Sequence, residues 1–138
     1  MLQYLRSTNS DSIISPQENL QSGSWVRCER PSDEEVSQLL TLGLDEDLIS
    51  DALDPHEVPR IEFDDEWTYL IARLPDTDDD FNDFTTPILF CINKDHIVTL
   101  SRDSLGRLWQ PFIDKVRIRT DRQVELLVAM VEAISTQY

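Results

Sequence analysis

Leu48-Ile49-Ser50-Asp51-Ala52-Leu53-Asp54-Pro55-His56-Glu57-Val58-Pro59-Arg60-Ile61-Glu62-Phe63 is the stretch on which the fold turns. At 100° per residue, Leu48, Ile49, Ala52 and Leu53 fall within an arc of about 140°, the width of one core-facing helical stripe. Asp47, Ser50, Asp51 and Asp54 fall on the opposite side. Pro55 disfavours helical geometry in the residue before it, so the helix must end near Asp54. After Pro59 the period changes to two, with Ile61 and Phe63 alternating with charged residues as in a strand. The segment reads as helix, turn, strand.

Upstream, Pro31-Ser32-Asp33-Glu34-Glu35 is a helix start. Ser32 can cap, Glu35 completes a capping box, and Asp33 and Glu34 suit the positive end of the helix dipole. Val36, Leu39 and Leu40 continue one apolar stripe until Gly43, a stop signal. Asp45 then caps the second helix, with Leu44 and Ile49 placed as a hydrophobic staple. Ahead of these helices, Met1 to Thr8, Asp11 to Ser15 and Trp25 to Cys28 read as strands. The first two are joined by the turn chemistry of Ser7-Thr8-Asn9-Ser10.

Downstream, Arg60 to Cys91 is β in pattern, interrupted by an acidic loop from Pro75 to Asp83. Thr85 to Ile92 and His96 to Ser101 form a hairpin about Asn93-Lys94-Asp95. A helix from about Ser104 to Val116 carries Leu105, Leu108, Trp109 and Phe112 at helical spacing. The last helix starts near Asp121 and is apolar on nearly every side between Leu126 and Ile134. That pattern asks for deep burial or two partners. It meets no stop signal, so the natural chain is expected to continue past Tyr138. Three strands, two helices, four strands and two helices predict an α/β fold in a single domain over 1–138. The expected form is a mixed β-sheet flanked by helices as a three-layer α/β/α sandwich.

The 138 residues include 27 Asp and Glu against 12 Lys and Arg, a formal net charge of −15. Residues 1–83 hold 21 acidic and 5 basic side chains, a balance of −16, whereas residues 84–138 come to +1. Such a field repels phosphate backbones and anionic lipid, which excludes ordinary nucleic-acid binding, and attracts cations or basic partners. Cys28 and Cys91 match no zinc spacing and read as buried thiols of a reducing compartment. No apolar run reaches the roughly 20 residues that span a bilayer. The glycines stand only at 23, 43 and 106, so no phosphate loop can form, and no nucleophile elbow is present.

Asp47, Asp51 and Asp54 offer hard oxygen donors of the kind that bind Mg²⁺ or Ca²⁺, but an ordinary solvated helix presents the same face. The run Asp76, Asp78, Asp79, Asp80, Asp83 lacks the spacing of a calcium loop and reads as an exposed hairpin tip. His56 and His96 make a weak transition-metal pair, and Trp25, Trp67 and Trp109 suit core positions.

The opening stretch, with its short acidic helix and Pro-Arg strand, resembles the cytoplasmic domain of CorA-type magnesium transporters. Trp25-Val26-Arg27-Cys28-Glu29-Arg30-Pro31-Ser32 is similar to the family's early strand-to-helix passage, and Trp67 to Pro75 to its next strand. Thr86-Pro87-Ile88-Leu89-Phe90 and His96-Ile97-Val98-Thr99-Leu100 resemble its hairpin. The resemblance covers most of residues 24–138.

It implies the N-terminal cytoplasmic regulatory domain of a homopentameric inner-membrane channel for Mg²⁺, or for Co²⁺ or Ni²⁺. The membrane helices and the Gly-Met-Asn pore signature are absent from these residues, and the stalk helix is expected to begin at the C-terminal end. It further implies no enzymatic role, weakly bound regulatory Mg²⁺, and Asp51 as a metal ligand. The partner carboxylate is expected beyond Tyr138 on a neighbouring subunit. Ser50 stands where a second acidic residue is frequent in that family. A competing reading is a soluble acidic adaptor module that binds a basic protein partner. An unrecognised hydrolase ranks behind both.

Overall fold

The computed structural model describes residues 1–9, 13–77 and 80–138. Its elements run β1 (Leu2–Arg6), β2 (Ser15–Gln17), β3 (Ser24–Glu29), α1 (Asp33–Thr41) and α2 (Glu46–Ala52). They continue with β4 (Arg60–Phe63), β5 (Thr68–Thr77), β6 (Asp83–Ile92), β7 (Ile97–Ser101), α3 (Gly106–Lys115) and α4 (Gln123–Ser135). The seven strands form one sheet in the order β2-β1-β3-β7-β6-β5-β4. Among the described residues only β3 and β7 pair in parallel, Trp25 opposite Ile97 and Cys28 opposite Leu100; the other neighbours are antiparallel. The sheet is mixed, as its element order predicts.

Side chains alternate across a strand, so β3 feeds both faces. Trp25 joins Ile88, Phe90, Ile97 and the buried stripes of α3 and α4 in one core. Val26 and Cys28 join Leu89, Cys91, Leu100 and the buried stripes of α1 and α2 in the other. The three layers are therefore α3/α4, sheet and α1/α2. In the first core the rings of Trp25, Trp109 and Phe112 meet edge to face, with centroids 5.2 to 6.0 Å apart. Such pairs add about 0.5–1.5 kcal/mol beyond the area they bury. Trp25 Nε1 donates to Thr99 Oγ1 at 2.9 Å, which satisfies a polar atom that burial would otherwise strand.

Local signals place α1 and α2 where the sequence puts them. The Ser32–Glu35 capping box is formed in both directions, Gly43 adopts φ 92° just past α1, and Asp45 caps α2 through Leu48 N–H at 3.1 Å.

Two strand expectations are corrected. The second strand lies at Ser15–Gln17 and not at Asp11 to Ser15, pairing Arg6 with Ser15 and Tyr4 with Gln17. Ile14 is spent on the core, at 2% exposure, and Pro16 is tolerated because β2 is an edge strand. Asp11 and Ser12 lie outside the described residues. The acidic loop is shorter than Pro75 to Asp83, since β5 and β6 stay paired out to Thr77 and Asp83. Pro75 and Pro87 sit where each strand has lost its second neighbour, so the missing N–H breaks no ladder. Asp78 and Asp79 lie outside the described residues. The last helix buries one stripe, Leu126, Met130 and Ile134, and leaves Val124, Val128 and Val131 exposed. Its all-round apolarity is not matched by all-round burial.

Candidate metal centre

Burial of Leu48, Ile49 and Ala52 against the sheet turns the opposite side of α2 outward, so Asp47 and Ser50 are exposed and Asp51 is half-exposed. The start of the helix is pinned from the sheet: Asp45 N–H donates to Tyr69 Oη at 3.0 Å, and Tyr69 Oη donates to Asp64 at 2.9 Å. Asp64 also accepts from Trp67 N–H and Glu66 N–H. The Trp67 amide leads in holding its carboxyl below the usual range, against the opposing pull of desolvation.

Past α2, Asp54 stays exposed and accepts from His56 N–H at 2.9 Å. Its carboxylate shapes the turn. Arg73 on β5 then holds that turn to the sheet, donating to the carbonyls of Glu57 at 2.7 Å and Pro55 at 3.0 Å.

The centre of the site is Arg60, the first residue of β4. Arg60 stands opposite Ile71 and Glu62 opposite Tyr69, which places both on the α1/α2 side of the sheet. Each guanidinium nitrogen serves a different carboxylate. Nη2 donates to Asp51 Oδ2 at 2.6 Å, Nη1 makes a short contact to Glu57, and Nε donates to Glu62 at 3.1 Å. Desolvation pulls the Arg60 pKa down, but hydrogen bonds to Asp51 and Glu62 with the field of Glu57 outweigh it and raise the pKa. One positive charge thus answers three negative ones. The group stays partly solvated, with side-chain exposures of 26% for Arg60, 40% for Asp51, 17% for Glu57 and 48% for Glu62.

Sequence reasoning named Asp51 but not the ion pairs around it. The available signals were the Glu57/Arg60 spacing of three and the shared strand face of Arg60 and Glu62.

A divalent ion would find few ligands here. Among the described residues no group of three or more His, Cys, Asp and Glu side chains converges as a ligand shell. Asp51 offers hard oxygens at the surface, one of them already hydrogen-bonded. That donor set suits Mg²⁺, which keeps its hydration water and needs only one or two carboxylates.

The other candidates do not gather. His56 is exposed on the turn after α2. His96 is half-buried before β7, its Nδ1 buried without a hydrogen-bond partner among the described residues and its pKa lowered by burial. Cys28 and Cys91 are buried free thiols in the α1/α2 core. Burial pushes Cys28 up to about 12 and raises Cys91 as well, so neither supplies a thiolate.

Fold and site together define a three-layer α/β domain with an acidic helical layer and an under-neutralised carboxylate cluster at its surface. The sequence profile of the family described as CorA-like Mg2+ transporter protein matches residues 21–138. The chain belongs to that family. It is 30% identical over 88 residues to "Cobalt/magnesium transport protein CorA" of Methanocaldococcus jannaschii, covering 61% of this chain and 27% of the relative. The chain thus spans about a quarter of that relative's length.

Among solved structures, the soluble domain of CorA from M. jannaschii superposes with a TM-score of 0.80 at 23% identity, over 100% of this chain and 57% of that one. The complete CorA magnesium transporter of the same organism gives 0.79 at 20% identity, over 100% and 45%. The ZntB cytoplasmic domain of Vibrio parahaemolyticus RIMD 2210633 gives 0.66 at 13% identity, over 98% and 57%. At these identities the likeness establishes the fold. Among the described residues no helix is long and apolar enough to cross a membrane.

Proposed function

We propose that this chain is the cytoplasmic, Mg²⁺-sensing regulatory domain of a CorA-like divalent cation transporter, with Asp51 as the regulatory ligand. In this reading the protein is a homopentamer of the inner membrane, and transport is carried by parts of it outside these residues. The observation that carries the proposal is the position of Asp51, half-exposed at the last turn of α2 in a cluster where three carboxylates share one arginine.

Bound Mg²⁺ supplies two positive charges at a surface with excess negative charge. Asp51 holds the hydrated ion by the carboxylate oxygen that Arg60 leaves free of its 2.6 Å bond. Asp47, one turn earlier on the same exposed face, adds to the attracting field. Glu57 and Glu62 keep the local balance negative even with Arg60 in place. Facing surfaces of this kind on neighbouring subunits repel each other until a cation lies between them. A ligand can shift such an equilibrium only through its different affinity for the two arrangements.

The test is an amide-resonance titration of this chain with MgCl₂ in the millimolar range, with ionic strength matched by NaCl. Saturable shifts centred on Asp47–Asp54 and Glu57–Glu62 in the wild type, lost in Asp51→Asn, are expected. Shifts spread over the acidic surface and identical in the variant overturn the proposal, and binding of a basic protein without regard to Mg²⁺ favours the adaptor reading.

A further inference from the structure

We infer that Arg60 is a built-in counter-ion of Asp51 that weakens the site's hold on divalent cations and so sets the concentration at which it responds. This rests on the reading of Asp51 as a cation ligand and goes beyond it by naming what tunes the ligand.

The geometry points to competition. Arg60 Nη2 lies 2.6 Å from Asp51 Oδ2, so a cation drawn to that carboxylate meets a positive charge already in contact with it. The ion must either accept the repulsion or displace the guanidinium. Displacement is made easy by the other two partners. When Asp51 swings to the cation, Nη1 keeps Glu57 and Nε keeps Glu62, so the guanidinium is not left without carboxylate partners. Glu57 is the most covered of the three acids, and its backbone is held to β5 by Arg73. The parking place for Arg60 is therefore anchored independently of Asp51. Arg60 itself is fixed in the β4–β5 ladder opposite Ile71, so its charge stays beside the site whichever partner it holds.

A divalent and a monovalent charge about 5 Å apart, in surroundings close to water, repel enough to weaken binding on the order of tenfold. Arg60 acts as a positioning and tuning residue, not as a ligand.

The same Mg²⁺ titration, repeated on Arg60→Gln and Arg60→Lys, tests this. Removing the charge in Arg60→Gln is expected to move the midpoint of the Asp51-centred shifts to about a tenth of the wild-type Mg²⁺ concentration. Arg60→Lys, which keeps the charge and loses the fork, is expected to stay within about twofold. A merely structural arginine predicts that both variants lose stability and that neither binds more tightly. An unchanged or raised midpoint in Arg60→Gln, with wild-type shifts still centred on Asp51, overturns the counter-ion role and leaves the function proposal standing. If the wild type shows no Asp51-centred shifts, both fall. Should Arg60→Gln fail to hold the β4 resonances in place, Arg60→Met, which keeps the apolar stem, carries the same expectation.

Discussion

Arg27 and Arg60 each lead a charged cluster, and the two clusters are built on opposite terms. Arg27 is buried on the α3/α4 side of the sheet and meets one acid, Glu29, two residues along β3. Its Nε donates at 2.6 Å and its Nη2 at 3.2 Å. Glu29, at 2% exposure, also accepts from Leu105 N–H at 2.6 Å and so serves the start of α3, which has no side-chain cap of its own. Charge is matched one to one. Arg60, on the other side of the sheet and partly solvated, faces three carboxylates. An unbalanced charge in the interior is prohibitively costly, so the buried cluster must close upon itself. At the surface water and salt tolerate the imbalance, and a cluster left negative can answer to a cation.

The largest expected effect tests that contrast directly. Arg27→Met leaves Glu29 buried without its partner and is expected to destabilise the fold by about 3–5 kcal/mol in urea unfolding. Adding Glu29→Gln, whose amide oxygen can still accept from Leu105, should recover part of the loss. Arg60→Met is expected to cost no more than about 1 kcal/mol, and the difference should shrink as salt is added. Equal losses at the two arginines break the comparison.

A smaller effect sharpens it through Asp64, a carboxylate satisfied by neutral donors. Its folded pKa is lowered chiefly by the Trp67 amide, from an ordinary value of 3.8. A lowered acid contributes stability above its unfolded pKa and loses it as pH falls through the folded one. Thermal unfolding should therefore show the wild type losing stability below about pH 3.8, and Asp64→Asn losing less over the same window. Parallel acid profiles count against this assignment of Asp64.

Much of the architecture was legible because its signals are local. The Ser32–Glu35 box, Gly43, the Asp45 cap and the two prolines after α2 each act within a few residues, and all lie where their chemistry puts them. The outward face of α2 was legible for the same reason, since helical period alone assigns Asp51 to it. Errors arose where the partner strand decides. Whether Ser15 or Asp11 begins β2 depends on what β1 offers opposite, and the β5–β6 hairpin extends as far as pairing repays it, through residues whose composition reads as loop. The shared arginine was missed because Asp51, Glu57 and Glu62 meet at Arg60 only when the turn after α2 brings β4 back beside the end of the helix.

Sequence alone therefore determined the order of elements, the outward face of α2 and the excess of negative charge over residues 1–83. Backbone chemistry and side-chain period act over short range, and charge needs only to be counted. Tertiary structure decided which charges are matched and which are left over. Ion pairing depends on distances of a few ångströms between segments remote in the chain, and only the packed layers set those distances, sealing Arg27 with one acid and leaving Arg60 to share itself among three.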